Sequence, residues 1–239
     1  MPHETQSSKH QADQDSLYEF LSGFVSSHKL QLFDEKLEQR TRFLTVVLES
    51  VDKGHNASAC LRSCECIGVQ DLHIIRRSPD FKLRNDVISG AGRWLTVRGY
   101  RGENESDRGD DTIRYYEKLR KNGYRIVAVT PDTNSMSLLD FQPTGRTALI
   151  FGSELNGLSQ EAVKNADACV QIPMHGFTES LNLSVAVAVC LHELRGRLQA
   201  SATDLSLTVD EKRKIRQGWI KRAIGHRFDA YVRRFEPSL

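Results

Sequence analysis

Uninterrupted apolar runs alternate with stretches of three- and four-residue periodicity from Arg42 to Leu198, and this alternation restricts the fold more than any other feature of the chain. Phe43-Leu44-Thr45-Val46-Val47-Leu48, Tyr124 to Thr130 and Thr147 to Phe151 have no regular polar/apolar alternation. A strand with one wet face would alternate. A strand apolar at successive positions must be covered on both faces, as in parallel sheets flanked by helices. The fold class is therefore α/β, a mostly parallel sheet with helices on both faces, plus N- and C-terminal helical extensions.

The remaining elements follow from the same periodicities. Asp15 to Gln39 spaces Leu17, Phe20, Leu21 and Phe24, then Leu30, Phe33 and Leu37, as two short amphipathic helices. Asn56 to Ile67 reads as a helix with Asn56 or Ser58 as N-cap and Gly68 as its stop, and Asp71 to Ile75 as a strand. Arg76 to Gly92 is a long polar loop of the kind that is usually functional, Arg93 to Val97 a short strand, and Gly99 to Asp111 a second hydrophilic loop. Thr112 to Asn122 is helical. Ser159 caps a short helix carrying Glu161 in its first turn, Ala168 to Ile172 is a strand, and Leu181 to Leu198 is the longest apolar helix. After a polar break, Asp210 to Phe235 forms a basic amphipathic helix or helix pair, with Ile215, Trp219, Ile220, Ile224, Phe228, Tyr231 and Val232 spaced to dock. The expected organisation is a disordered tail over residues 1–14, a helical extension over 15–41, an α/β domain over 42–198 and a basic helical extension over 199–239.

Composition excludes several classes. The 239 residues suit one large domain with appendages. No apolar run approaches the ~18 residues a membrane span needs, and the polar start has no signal-peptide core, so a cytoplasmic protein is expected. Five cysteines, an odd number, fit reduced thiols. Cys60 and Cys64 share a helix face while Cys66 lies about 200° further round, so the three cannot converge on one tetrahedral zinc and no metal is expected. The net charge of +2 is unevenly spread. Residues 1–41 carry four basic against seven acidic side chains, residues 76–101 seven against two, and residues 201–239 nine against five. A nearly neutral chain with arginine concentrated in two segments resembles an enzyme acting on a polyanion; solvated charged faces are the plainer alternative.

The chemistry-bearing residues collect where strands end. Ala148-Leu149-Ile150-Phe151 stops in Gly152-Ser153-Glu154-Leu155-Asn156-Gly157, and Val170-Gln171-Ile172 stops in a polar loop leading to Ser180-Leu181-Asn182. Open α/β sheets bind ligands at such carboxyl ends. A phosphate loop would need Lys and Ser/Thr after its last glycine, but Leu158 and Ser159 follow. The first strand ends in Asp52-Lys53-Gly54-His55, without the glycines of a dinucleotide fingerprint. Ser153 lacks a nucleophile elbow, and His175 reads as a loop residue rather than a base. Three polar clusters remain: His55-Asn56 with Arg62, Gly152 to Gly157 with Glu154, and Ser180 with Asn182. Asn56 and Arg62 lie about 240° apart around one helix, so Arg62 alone reaches across an opening toward a phosphate. Glu65 and Glu154 are the nearest acids that would instead make Arg62 structural.

These clusters resemble the three motifs of the SPOUT superfamily of RNA methyltransferases, most closely the TrmH (SpoU) group of ribose 2'-O-methyltransferases. The first is His55-Asn56-Ala57-Ser58-Ala59-Cys60-Leu61-Arg62 through Gly68-Val69, the second Leu149 to Leu158, and the third Ile172-Pro173-Met174 through Ser180-Leu181-Asn182-Leu183-Ser184-Val185-Ala186. The basic C-terminal segment is also similar to that of tRNA guanosine-18 2'-O-methyltransferases.

The resemblance implies a C-terminal deep trefoil knot, an exception to the avoidance of threading. It further implies a homodimer and S-adenosylmethionine as methyl donor. It places Thr130, Gly152, Ile172 and Leu181 at the cofactor, Arg62 as the catalytic residue supported by Asn56, Glu154, Ser180 and Asn182, and His55, Arg195 and Arg197 against RNA. The implied activity is 2'-O-methylation of guanosine 18 in the D-loop of tRNA, with neither DNA nor membrane as partner. An rRNA ribose methyltransferase and a catalytically silent RNA-binding or assembly protein are the alternatives. The short stretch before the first strand favours tRNA over the rRNA members, which often carry an N-terminal RNA-binding domain. Glu65-Cys66, Leu155-Asn156 and Arg93 depart from the commoner members and bear on substrate choice.

Overall fold

A computed structural model describes residues 14–50, 54–76, 90–101, 108–132 and 134–235. The expected N-terminal tail and most of the loops expected over 76–92 and 99–111 lie outside these residues. In chain order the elements are α1 (residues 14–22), α2 (Ser27–Leu37), β1 (Leu44–Glu49), α3 (Gly54–Ile67), β2 (Asp71–Arg76), a 3-10 turn (Ala91–Trp94), β3 (Thr96–Arg101), α4 (Arg108–Lys121) and β4 (Arg125–Val129). They continue with β5 (Met136–Ser137), β6 (Thr147–Phe151), α5 (Gln160–Lys164), β7 (Ala168–Gln171), α6 (Leu183–Ala200), α7 (Val209–Ile224), a 3-10 turn (Gly225–Arg227) and α8 (Phe228–Val232). They form two compact units, one spanning Arg40–Ser206 and one joining the two terminal segments.

The first unit is a seven-stranded sheet in the order β3-β2-β1-β6-β4-β7-β5, and every pairing is parallel. β1 and β6 are buried at every position, which explains why their mainly apolar sequences show no alternation. Because successive side chains point to opposite faces, Leu44, Val46 and Leu48 join Cys60, Leu61 and Cys64 of α3 and Val187, Leu191 and Leu194 of α6. Val47 instead joins Tyr115, Tyr116 and Leu119 of α4, Ile126, Ile150 and Ala162 on the other side. Each fully buried aliphatic side chain contributes about 1.5–3 kcal/mol relative to exposure.

Several boundaries differ from those expected. α3 starts at Gly54, so Asn56 and Ser58 lie inside the helix rather than at its cap. Asn56 is buried there, and Ser58 Oγ donates to the Gly54 carbonyl at 2.8 Å. Residues 91–94 coil into the 3-10 turn, and the edge strand is displaced to Thr96–Arg101, where the ladder begins with Thr96 N donating to Gln70 O at 2.9 Å. The expected 99–111 loop therefore contributes its first residues to β3 and its last to α4. α6 starts two residues later than expected, with Asn182 as N-cap. No helix among the described residues is long and apolar enough to cross a membrane.

The terminal unit buries aromatic rings. Phe33 meets Trp219 edge-on at 5.4 Å, and Phe24 stacks on Tyr231 at 3.8 Å. Acidic residues of the first segment neutralise α7: Glu38 pairs with Lys212 at 2.5 Å, Asp34 with Arg216 at 2.6 Å and Asp15 with Arg213 at 3.2 Å. Thr208 and Glu211 close a capping box at the start of α7.

β2 carries a buried histidine. His73 in β2 is paired with Val47 and Arg98 in register, and its Nδ1 meets the Tyr115 hydroxyl at 2.5 Å. Burial, reinforced by Arg98, Arg42 and Lys118, lowers its pKa to about 3. Its folded pKa thus lies below the unfolded value of about 6.5, so the unfolded chain gains a proton that the folded chain refuses as pH falls. The stability His73 contributes above pH ~6.5 is lost progressively toward pH ~3. Urea unfolding of wild type and His73→Gln across that window should show the steeper acid loss in wild type, and parallel profiles would refute the assignment.

Candidate active site

Parallel β4, β6 and β7 all point their carboxyl ends the same way, so the loops following them converge. They enclose a cavity of about 360 Å³ lined by Thr130, Gly152, Glu154, Ile172, Ser180 and Leu181, with Leu183 and Ala186 of α6 among its apolar lining.

Glycine is required at position 152. A Cβ there would lie 2.0 Å from the Gly157 carbonyl carbon and 2.2 Å from Leu158 N. The loop closes on itself through Ser153 N to Gly157 O at 3.1 Å and Gly157 N to Ser153 O at 2.9 Å, with Gly157 at φ 64°. This closure lifts Glu154, Leu155 and Asn156 to an exposed tip.

Glu154 is then held from a different motif. Asn182 Nδ2 donates to Glu154 Oε1 at 2.7 Å, while Asn182 Oδ1 accepts from Ser184 N at 3.0 Å and Ser184 Oγ at 2.7 Å. One amide thus caps α6 and orients the carboxylate.

α3 supplies the cation. Arg62 is exposed and Asn56 buried, as their angular separation requires. Among the described residues Arg62 has no ion-pair partner: Glu65 is taken by Arg40 at 2.8 Å, and Glu154 by Asn182. Burial, and then the Glu154 carboxylate, push the Cys60 thiol up to about 12, which marks the acid's field at α3. His55 is exposed on the first turn of the same helix. Neither His55, Asn56 nor Arg62 lines the cavity.

Arg195 and Arg197 lie about 18 and 21 Å along α6 from its first residue, Leu183, at ~1.5 Å per residue. Arg195 is half-buried, and burial together with Arg40 lowers its pKa. Arg197 is engaged within the fold: it donates to Leu139 O at 2.8 Å and Leu138 O at 2.7 Å and pairs with Glu193 at 2.9 Å. Those bonds hold the chain beyond β5, while the side chain keeps 24% of its surface exposed.

One residue of the site was not singled out by sequence reasoning. Glu49, at the carboxyl end of β1, is buried and accepts from Ser159 and Thr112. An acid closing a largely apolar strand is the available signal.

Residues 43–192 match the family model described as the SpoU rRNA Methylase family. The chain belongs to the SpoU rRNA Methylase family. Curated relatives of this SpoU chain include the tRNA (guanosine(18)-2'-O)-methyltransferase of Borreliella burgdorferi, 34% identical over 85% of this chain and 89% of that protein. The Thermus thermophilus protein of the same name is 32% identical over 79% and 94%. Among solved structures, the A. aeolicus TrmH/SpoU tRNA modifying enzyme superimposes with a TM-score of 0.70 at 28% identity, covering 81% of this chain and 95% of that one. The SpoU methyltransferase AviRb of Streptomyces viridochromogenes, in complex with the cofactor AdoMet, shares the fold, with a TM-score of 0.54 at 24% identity over 70% of this chain and 62% of that one.

The SpoU loop geometry generates a direct test. Gly152→Ala must displace the 157–158 backbone and should cost about 1–3 kcal/mol, whereas Gly176→Ala, whose Cβ meets nothing nearer than 4.0 Å, should not. Denaturant midpoints of the two variants check this; equal midpoints would mean the loop is not closed as described.

Proposed function

We propose that this chain is an S-adenosylmethionine-dependent RNA ribose 2'-O-methyltransferase whose substrate is guanosine 18 in the D-loop of tRNA. The observation that carries the reading is the Gly152-pinched cavity at the carboxyl ends of β4, β6 and β7, in a chain whose α3 also presents an exposed arginine with no ion-pair partner among the described residues. The tRNA guanosine-18 name of the Borreliella burgdorferi and Thermus thermophilus relatives, which match most of the chain, supports the choice of tRNA over rRNA.

The residues fit the cofactor. A volume of about 360 Å³ falls in the range of small-molecule sites, the pinched backbone at 152 allows close approach, and apolar Ile172, Leu183 and Ala186 line the pocket together with the polar side chains of Thr130, Glu154 and Ser180. Thr130, Gly152, Ile172 and Leu181 would hold it. When bound, S-adenosylmethionine supplies an electrophilic methyl group.

The protein's own part is placement and proton management. A guanidinium stays protonated in proteins, so Arg62 does not serve as a base. Its fork instead grips a phosphate next to the acceptor ribose, and its charge favours the ionised 2'-oxygen. That phosphate or Glu154 receives the hydroxyl proton, and Asn182 keeps Glu154 oriented. Ser180 and Asn56 complete the site as substrate-side and helix-side supports.

The finer architecture belongs to the same reading. The β1-β6-β4-β7 order, with the chain then returning to lay α6 against α3, supports a C-terminal trefoil knot. Exposed Val185 and Val189 on one face of α6, beside exposed Leu139, support a homodimer. Arg227, Arg233 and Arg234 make no ion pair among the described residues, whereas Lys212, Arg213 and Arg216 are neutralised within their own unit. The former three are the tRNA contacts of the terminal unit.

Incubation with labelled S-adenosylmethionine and unmodified tRNA or rRNA transcripts, followed by mapping, tests the function. Label on ribose 18 of tRNA is expected, and label on rRNA alone would overturn it. Arg62→Lys keeps the charge but loses the fork, and should lower turnover by about tenfold or more, equivalent to ~1.4 kcal/mol. Near-full turnover would contradict the bidentate role. Replacing Arg227, Arg233 and Arg234 with alanine should weaken tRNA binding and flatten its salt dependence by roughly 0.7–0.9 in log–log slope per lost phosphate contact, with S-adenosylmethionine affinity unchanged. An unaltered slope would return these arginines to a solvated surface.

A further inference from the structure

Glu49 is a carboxylate with 1% exposure at the end of a strand whose other side chains are apolar except for Thr45. Its Oε1 accepts from Thr112 Oγ1 at 2.8 Å and from Ser159 Oγ at 2.8 Å, and its Oε2 accepts from Ser159 N at 2.9 Å. Burying a charge is costly unless such donors compensate it, and the ionised carboxylate, which can only accept, is met by these three donors among its partners. Ser159 Oγ in turn accepts from Ala162 N at 3.1 Å, which commits its proton to Glu49.

The two legs lead to different places. Thr112 belongs to α4, on the sheet face away from α3 and α6. Ser159 directly follows the loop whose Gly157–Leu158 peptide lies against Gly152. On the other side, Glu49 is followed at once by Ser50, in the left-handed region at φ 56°, where β1 turns away. Glu49 therefore anchors the far end of the Glu154 loop to the end of the strand from which the chain proceeds to α3 and Arg62.

We propose that Glu49 is a positioning residue: through Ser159 it fixes the Gly152–Leu158 loop, and hence the cofactor cavity and Glu154, in register with β1. This rests on the methyltransferase reading above. The Thr112 leg serves the stability of α4 and not the cavity.

The three variants Glu49→Gln, Ser159→Ala and Thr112→Val separate these roles. Glutamine keeps the shape but replaces one acceptor oxygen by a donor amide, which opposes at least one of the three donors. In the full-length protein, all three variants should lower the melting temperature. Only Glu49→Gln and Ser159→Ala should weaken S-adenosylmethionine binding by calorimetry, by about tenfold, or ~1.4 kcal/mol, and speed hydrogen exchange at the amides of residues 152–158. Thr112→Val should leave both within about twofold of wild type. The double variant Glu49→Gln/Ser159→Ala should lose less than the product of the single losses, since both break one link. Equal effects from all three variants, or unchanged exchange in Glu49→Gln and Ser159→Ala, would overturn the proposal. If wild type failed to bind S-adenosylmethionine, the functional reading would fall, and the exchange measurement would still decide the role of Glu49.

Discussion

The backbone of residues 157–158 occupies the space where a side chain on residue 152 would stand, with its nearest atom 2.0 Å from that virtual Cβ. β6, buried throughout between β1 and β4, delivers Gly152 to this point, and the chain cannot leave the strand in any way that moves the two glycine segments apart without opening the loop. The closure sets the rest of the site. It raises Glu154 to the tip where Asn182 can reach it across 28 positions of sequence, and it places Ser159 where the buried Glu49 receives it. A cavity, an oriented carboxylate and a helix N-cap all derive from one close backbone approach.

Electrostatics divides the arginines by what they already hold. Arg40, Arg42 and Arg197 are committed to Glu65, Asp71 and the carbonyls after β5. Lys212, Arg213 and Arg216 are answered by the acidic N-terminal segment, so the opposite charges of the two chain ends are largely an internal matter of the terminal unit. Arg62 differs in kind, being exposed on α3 with no ion-pair partner among the described residues. A cation in that state is suited to an anionic partner brought from outside, and a polynucleotide supplies one at every nucleotide.

Sequence made some of this legible and hid the rest for identifiable reasons. β1 and β6 stood out because burial on both faces removes all alternation, and the Ser159 cap because capping is local: its Oγ accepts from a residue three positions away. The start of α3 was misplaced because Asn56 and Ser58 are good caps that tertiary packing moved inside the helix. β3 was misplaced because Gly99-Tyr100-Arg101 looks like loop and becomes strand only by pairing with Ile74, Ile75 and Arg76. The two-residue β5 is too short to carry a period. Gly152, Glu154, Ser180 and Leu181 were picked out by motif and meet around one cavity, whereas Glu49 went unnoticed because its donors lie 63 and 110 residues away. The bonds from Arg197 to the Leu138 and Leu139 carbonyls are likewise hidden, because no side-chain pattern reveals a backbone partner.

The central claim is that a ribose oxygen, not a base, receives the methyl group at a site assembled from Arg62, Glu154 and Asn182. A tRNA transcript bearing a single 2'-deoxyguanosine at position 18 removes that one atom while leaving the base and both phosphates in place. The account predicts that this tRNA competes with the unmodified transcript for binding and takes up no label from S-adenosylmethionine. Label appearing on the deoxy-substituted tRNA would contradict it.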